Sequence, residues 1–212
     1  MEEFLQFIRS VERPSRYLGL ETNRVQKDPS EVKLRVCLAF PDLYEIGQSH
    51  LGFELVYRLF NAHPDVYCER AFLPAPDAAS YLRSHNIKLF SLETKTPLDE
   101  FDLLAFSFTY ELHYTSVLEM LSLSGLQTRS ADRRGLPLVV AGGIGCSNPE
   151  PMVDFIDAFA IGDGEVLVPK LIEVMLDVKA RSMKPARREI LERLADTNAF
   201  YVPLLVDEGK QR

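Results

Sequence analysis

Four segments of the chain carry polar side chains that could hold a ligand, and three of them also contain glycine. Each follows an apolar run, and they read PDLYEIGQSHLG at 41–52, YELHYT at 110–115, GGIGCSNPEP at 142–151 and GDGE at 162–165. Glycine permits positive φ and lets a large ligand approach the backbone closely. Each glycine taken singly is typical of a turn or a helix cap, and only the set predicts a shared binding pocket.

Motifs for several common enzymatic sites are missing from the sequence. It contains no GK[ST] phosphate loop, no HExxH zinc motif and no GxSxG nucleophile elbow. The run Gly143-Ile144-Gly145 lacks the third glycine of a dinucleotide-binding fingerprint, which argues against a nicotinamide site. Glu111 and His113 could serve acid–base chemistry, but polar residues at the start of a helix more often face water or cap the helix.

Apolar runs rich in Val, Ile, Leu and Phe predict the elements that position these loops. Five runs predict β-strands, at 34–40, 66–72, 103–109, 136–140 and 157–161. A further run at 87–92 predicts a short extra strand near the sheet edge. Helical patterns alternate with the strands, which implies a parallel sheet with right-handed crossovers. The predicted fold class is therefore α/β, a three-layer α/β/α arrangement with a doubly wound, five-stranded parallel sheet.

Three helical segments are each expected to bury one apolar stripe. They lie at 49–61, at 112–124 and at 165–179. The predicted inward residues are Leu51, Leu55, Val56, Leu59 and Phe60 in the first, Val117, Met120, Leu121 and Ser124 in the second, and Leu167, Val168, Leu171, Ile172, Met175 and Val178 in the third. In an open parallel sheet a ligand settles outside the carboxyl ends of the strands, so the four polar segments should meet there.

Composition divides the chain into three parts. Residues 1–33 are polar after a short amphipathic start and are predicted to be an N-terminal extension, whereas 34–180 form the α/β domain. Residues 181–212 read as a basic helix and a linker that leads elsewhere. No run reaches the length of a membrane span, and the start MEEFLQFIRS has no signal-peptide pattern, so we expect a cytoplasmic protein.

Charge and cysteine content exclude further classes of function. The net charge of −7 argues against broad binding to nucleic-acid phosphates, which relies on clustered Lys and Arg. Cys37, Cys68 and Cys146 are odd in number and widely spaced, which fits neither a disulfide framework nor a zinc-binding pair. We expect them to be reduced, and only Cys146 lies in a glycine-rich loop.

Four segments, in this order and spacing, resemble a known family. They read RPSRYLGLE at 13–21, FPDLYEIGQSHLG at 40–52, NPEPMVDFIDAFAIGDGE at 148–165 and FYVP at 200–203. The chain resembles the N-terminal cobalamin-binding-type domain of a group of bacterial radical SAM proteins, and the resemblance covers most of its length. It implies a flavodoxin-like fold and an accessory role that holds cobalamin over a radical SAM domain.

The same resemblance implies a partner domain, in cis or in trans, that carries a [4Fe-4S] cluster and cleaves S-adenosylmethionine. That chemistry uses three cysteines in a CxxxCxxC motif, and Cys37, Cys68 and Cys146 do not form one. We therefore expect the cluster and S-adenosylmethionine only in a domain absent from this sequence. This chain alone is not expected to be catalytic.

Cobalamin domains of this type carry a loop motif, DxHxxG, whose histidine ligates cobalt. The matching residues here are Asp42, Tyr44 and Gly47, with Tyr44 in the histidine's place. A phenol with an ordinary pKa near 10 is a poor cobalt ligand at neutral pH, so the resemblance implies cobalamin bound without that histidine. His50 is a weaker replacement ligand. The predicted cofactor-binding residues are Asp42, Tyr44, Gly47, Ser107, Gly142, Gly143, Gly162 and Glu165, with no metal or catalytic residues.

Two alternatives stay open at the level of sequence. The chain could be a structural or interaction domain that kept this fold and lost the cofactor, in which case side chains such as Tyr44, Tyr110 and His113 would fill the space of a corrin ring. It could also bind a different phosphate-bearing ligand, such as a flavin, at 143–148.

Overall fold

The computed structural model describes residues 2–182 and 185–207. These residues contain six strands and eight α-helices. The strands are β1 (Leu34–Phe40), β2 (Val66–Phe72), β3 (Leu103–Ser107), β4 (Leu138–Gly142), β5 (Ala158–Ala160) and β6 (Phe200–Tyr201). The helices are α1 (Glu2–Ser10), α2 (Tyr44–Gln48), α3 (Leu51–Ala62), α4 (Pro76–Ser84), α5 (His113–Leu123), α6 (Gly164–Arg181), α7 (Arg187–Asp196) and α8 (Pro203–Asp207).

All six strands belong to one sheet in the order β2-β1-β3-β4-β5-β6. The first five are parallel, and β6 pairs antiparallel with β5. The order 2-1-3-4-5 is that of flavodoxin-like sheets, in which the order of the strands reverses between β1 and β3. The predicted three-layer α/β/α, flavodoxin-like fold is confirmed.

Two apolar cores lie on opposite faces of the sheet. One packs α3, α6 and α7 against side chains such as Leu38 and Val140. The other packs α1, α4 and α5 against the opposite face, which includes Cys37 and Val139. Successive side chains of β1 and β4 therefore alternate between the two cores, as the period of a strand dictates.

The prediction of an extra strand at 87–92 is wrong. The structure has only an isolated bridge there, between Phe90 and Pro97. The backbone N–H groups of Leu89 and Leu92 donate to the carbonyl oxygens of Leu123 and Arg70, so they form no ladder with a neighbouring strand. This run is apolar because Leu89 and Leu92 are buried in the two cores. The sixth strand is β6, which the sequence did not predict.

The predicted buried faces are correct for two of the three helices. All the residues predicted to face inward on α5 and α6 are buried. On α3 the prediction is correct for Phe60, and Val56 and Leu59 are half-buried against the core. It is wrong for Leu51 and Leu55, which are exposed, and it missed the buried Phe53 and Tyr57. Since α3 is apolar on most of its circumference, periodicity could not decide which face turns inward.

The N-terminal segment packs on the domain through apolar and polar contacts. Phe7, Val11 and Tyr17 are buried in the core around α4 and α5. The Nζ of Lys27 donates to three carbonyl oxygens near the end of α3 and the start of β2, at 2.6–2.9 Å. The boundary at residue 33 stays a prediction, but the segment before it is part of the packed structure.

The C-terminal segment also packs on the domain. Ile190 and Leu194 of α7 are buried beside α6, and Phe200 and Val202 are buried next to β5. Residues 183–184 and 208–212 of the predicted basic segment and linker lie outside the described residues. No helix within 2–182 and 185–207 is long and apolar enough to cross a membrane.

Candidate ligand-binding site

A cavity of about 300 Å³ opens at the carboxyl ends of the parallel strands. Its floor is the face of the sheet formed by Leu38, Ala105 and Val140, and its side walls are α3 and α6. The volume lies at the lower end of the range for small-molecule pockets, about 300–1,000 Å³. We call it the switch-point cavity, because it lies where the strand order reverses between β1 and β3.

The walls of the switch-point cavity are apolar. Val56 and Phe60 of α3 face Val168 and Leu171 of α6, and Phe200 closes the cavity near β6. Sequence reasoning assigned the two α3 residues and the two α6 residues to a solid core and missed that they enclose a space. The small residues Ala105, Gly142 and Ala160 at the strand ends were a usable signal, since they leave room that larger side chains would fill.

Five of the predicted site residues meet at the mouth of the switch-point cavity. Ser107, Gly142, Gly143, Gly162 and Glu165 all line it. Gly143 has a φ of +103°, and a Cβ there would lie 2.4 Å from the carbonyl oxygen of Phe108. Because no other residue adopts this conformation without strain, the tight turn after β4 requires glycine at 143. Whether these residues touch a cofactor stays a prediction.

The other three predicted site residues, Asp42, Tyr44 and Gly47, do not line the cavity. Gly47 is buried against aromatic rings, and a Cβ there would lie 2.4 Å from the ring of Phe72. Asp42 accepts a hydrogen bond of 2.9 Å from the hydroxyl of Tyr110. The structure therefore separates the 42–47 loop motif from the mouth residues.

Tyr44 belongs to a network of charged groups beside β2. Its hydroxyl donates to Glu21 at 2.6 Å, and Glu21 also accepts from Arg70 at 2.8 Å. Arg70 is buried and pairs with Glu93 at 2.7 Å. Burial and the hydrogen bond to Glu21 raise the pKa of the Tyr44 phenol. Tyr44 therefore keeps its proton at neutral pH and acts as a hydrogen-bond donor to the N-terminal segment.

His50 is the histidine that lines the switch-point cavity. It is the N-cap residue of α3, where its Nδ1 accepts a hydrogen bond of 3.2 Å from the backbone N–H of Phe53. In this arrangement Nδ1 acts as an acceptor and Nε2 is the remaining ring nitrogen. Within the described residues Nε2 has no hydrogen-bond partner, so a polar group in the cavity could bind it.

His113 and Tyr110 lie beside Asp42. The two rings lie 4.2 Å apart, and the Nε2 of His113 lies 3.9 Å from the Oδ2 of Asp42. Burial lowers the pKa of His113 although the Asp42 carboxylate opposes that effect. His113 is therefore a neutral, buried side chain at pH 7. Glu111, its predicted acid–base partner, is exposed.

The three cysteines are free and buried, as expected for a reduced chain. Burial raises the pKa of Cys146 to about 12, so its thiol is un-ionised at neutral pH. Cys146 does not line the cavity, and it packs as a small apolar side chain. No group of three or more His, Cys, Asp or Glu within the described ranges could hold a metal ion.

Comparison with protein families matches residues 52–203 to the family described as radical SAM proteins, N-terminal. The match covers well over half of the chain. This chain belongs to that family. The matched residues include β2 to β6 and most of the cavity lining, but begin after Asp42, Tyr44 and Gly47. Comparisons with curated proteins and with solved structures give no match.

Membership of this family makes the chain an accessory domain of radical SAM proteins. The predicted association with a radical SAM domain is supported at this level. The match does not identify a cofactor for the N-terminal domain itself.

Proposed function

We propose that this accessory domain binds cobalamin, with the nucleotide tail of the cofactor in the switch-point cavity. The observation that carries the proposal is the position of the cavity, between the sheet, α3 and α6, with Ser107 and three glycines at its mouth. A flavodoxin-like sheet binds ligands at this point because loop amides and helix N-termini converge there.

The residues present fit the tail of the cofactor. An apolar slot of about 300 Å³ suits one flat aromatic base, while the corrin ring would lie outside, against the mouth. Ser107 supplies a hydroxyl at the mouth, and Gly142 and Gly143 allow the tail to pass close to the backbone. When bound, cobalamin supplies a cobalt centre for radical chemistry or for the transfer of carbon groups.

The loop of Asp42 and Tyr44 supplies no cobalt ligand in this proposal. The Tyr44 phenol has a raised pKa and donates a hydrogen bond to Glu21. Cobalamin is therefore expected to bind without a cobalt ligand from this loop. His50 is the alternative cobalt ligand that an experiment has to exclude. We expect the His50→Ala variant to bind hydroxocobalamin with the visible spectrum of the wild-type complex. A shifted band in the wild type that is lost in the variant would assign His50 as the ligand.

A second candidate function is a structural or interaction domain that lost the cofactor. Tyr110 and His113 favour it, because they occupy the space beside Asp42. In that case the switch-point cavity would be a remnant of the ancestral site and would bind no corrinoid.

Retention of hydroxocobalamin separates the two candidates. The purified chain is mixed with the cofactor and desalted, and the visible spectrum is recorded. We expect retention at micromolar protein and at least a tenfold loss of affinity for Val56→Phe, because the added ring occupies the cavity that Val56 lines. Leu59→Phe is the matched control, since Leu59 lies on the same helix outside the cavity lining. No retained corrin band with the wild type would favour the structural candidate.

A further inference from the structure

The loops at the carboxyl ends of the strands expose apolar side chains around the mouth of the switch-point cavity. Seven of the ten large apolar side chains that are exposed among the described residues lie in or next to these loops, and an eighth, Leu55, lines the cavity. The most exposed are Leu51 at 83%, Ile144 at 78%, Leu112 at 76% and Val166 at 54%. Single exposed apolar residues are ordinary, but a group of them on one face indicates a contact surface.

These side chains surround the mouth of the cavity. Leu51 directly follows His50, and Val166 directly follows Glu165, both of which line the cavity. Ile144 lines the cavity and is also largely exposed. The apolar surface and the cavity therefore form one continuous face at the carboxyl ends of β1, β3, β4 and β5.

The same face is acidic. We call its five loops the carboxyl rim; they are residues 41–50, 73–77, 108–112, 143–150 and 161–166. The carboxyl rim contains seven Asp or Glu residues and no Lys or Arg. Glu111, Glu150, Asp163 and Glu165 are exposed and make no ion pair or side-chain hydrogen bond within residues 2–182 and 185–207. Glu45 is paired, with arginines of the N-terminal segment.

Helix N-termini explain part of this charge but not the whole face. Each acidic residue of the carboxyl rim stands in or near the first turn of a helix, where a carboxylate stabilises the helix dipole. The dipole does not account for the exposed apolar side chains among them.

We propose that the carboxyl rim is the docking surface for a second protein domain, whose contact face is apolar at its centre and bordered by Lys and Arg. Protein interfaces combine an apolar centre with a polar border in this way. The negative charge steers a basic partner onto the face and repels nucleic acid and anionic lipid. A second copy of the chain would bring two acidic faces together, which opposes self-association.

This inference builds on the proposed function, because the docked domain would cover the mouth through which the corrinoid enters. The probe is a radical SAM domain from a protein of this family, produced as a separate chain. It is titrated calorimetrically into this chain at about 50 mM and 500 mM salt. We expect a complex that weakens as salt rises, because exposed charges are screened over about 10 Å or less.

Two pairs of variants assign the surface. We expect Leu51→Ser with Leu112→Ser to weaken the complex about tenfold, and Leu20→Ser, at an equally exposed site in the N-terminal segment, to leave it unchanged. Glu111→Gln with Asp163→Asn should weaken it several-fold at low salt only, and Glu2→Gln with Glu31→Gln should not. None of these residues lines the cavity, and retention of hydroxocobalamin should persist in the carboxylate variants and in Leu20→Ser. Because Leu51 and Leu112 border the mouth, docking of their double variant is measured without the cofactor.

Several outcomes would overturn the docking surface. They are the absence of a complex, an equal loss of affinity in the control variants, binding to phosphatidylglycerol vesicles in place of the domain, or dimers in sedimentation that the Leu51 and Leu112 substitutions abolish. Loss of docking with hydroxocobalamin retained rejects this inference alone. Docking without retained hydroxocobalamin rejects the proposed cofactor alone.

Discussion

At the amino ends of the strands Asp157 and Asp102 are paired with cations and largely shielded from solvent, whereas at the carboxyl ends of β3, β4 and β5 the carboxylates within the described residues are exposed and unpaired. Asp157, just before β5, is buried and binds both Arg133 and Arg187. Asp102, just before β3, pairs with Lys179 of α6. The carboxyl ends carry instead the cavity, the exposed apolar side chains and the free carboxylates of the carboxyl rim.

The comparison separates side chains that hold the fold from side chains left free for binding. Asp157 joins the loop before β4, the start of α7 and the backbone N–H of Val139 in one place. Such a buried group costs desolvation free energy and is retained where its partners fix several elements. The carboxyl rim has no equivalent between its loops at β3, β4 and β5 within the described ranges. Its surface is therefore the one that a ligand or partner can complete.

The largest effect on stability is expected from removing the ion pairs of Asp157 at the amino ends of the strands. Asp157→Ala leaves Arg133 and Arg187 buried without their carboxylate, so we expect the free energy of unfolding to fall by about 3–5 kcal/mol. Asp154→Ala, which breaks the exposed pair with Arg129, should cost only about 0.2–1 kcal/mol. Urea denaturation measures both. A loss below about 1 kcal/mol for Asp157→Ala would contradict the structural role assigned to its ion pairs.

Gly47 tests whether the 42–47 loop belongs to the packed part of the molecule. We expect Gly47→Ala to lower the free energy of unfolding by about 1–3 kcal/mol, because its Cβ would overlap the ring of Phe72. Gly52→Ala is the control, since its Cβ would meet only an edge of the His50 ring at 3.2 Å. Equal stability of Gly47→Ala and the wild type would mean that glycine is needed at 47 for another reason.

His113 should make the carboxyl side of the molecule sensitive to acid. Burial lowers its pKa below the ordinary 6.5, so the unfolded chain binds the proton more readily than the folded one. The stability contribution of neutral His113 is complete above pH 6.5 and is lost as the pH falls from 6.5 towards the lowered pKa. We expect the advantage of the wild type over His113→Asn in thermal denaturation to shrink from pH 7 to pH 5. An advantage that stays constant would contradict the buried neutral state.

The residues that meet at the carboxyl ends of the strands could be predicted from the sequence, whereas the ion pairs at the amino ends could not. The position of Ser107, Gly142, Gly143, Gly162 and Glu165 at one mouth could be predicted, because strand order and the rule for parallel sheets place their loops together. The ionic contacts could not, because Asp157 is 30 residues from Arg187. Only tertiary packing decides which distant cation a carboxylate meets.

Tyr44 shows the same limit at a single residue. The motif match placed it in a cofactor site, but the structure turns its hydroxyl to Glu21, 23 residues away in a segment without periodicity. One signal was present in the strand VYCERAF, whose Glu69 and Arg70 are charged residues inside an apolar run. Charges in a strand covered on both faces need partners, and Arg70 finds them in Glu93 and in the same Glu21 that binds Tyr44.

The most direct test of the proposed cofactor site is a methyl-labelled NMR titration of the chain with hydroxocobalamin. Methyl groups of Val140, Val168 and Leu171 line the cavity, whereas those of Val117 and Leu121 are buried on the opposite face of the sheet. We expect the first group to shift and to saturate at one equivalent, while the second group stays in place. An unshifted first group, or equal shifts in both, would contradict the proposed site.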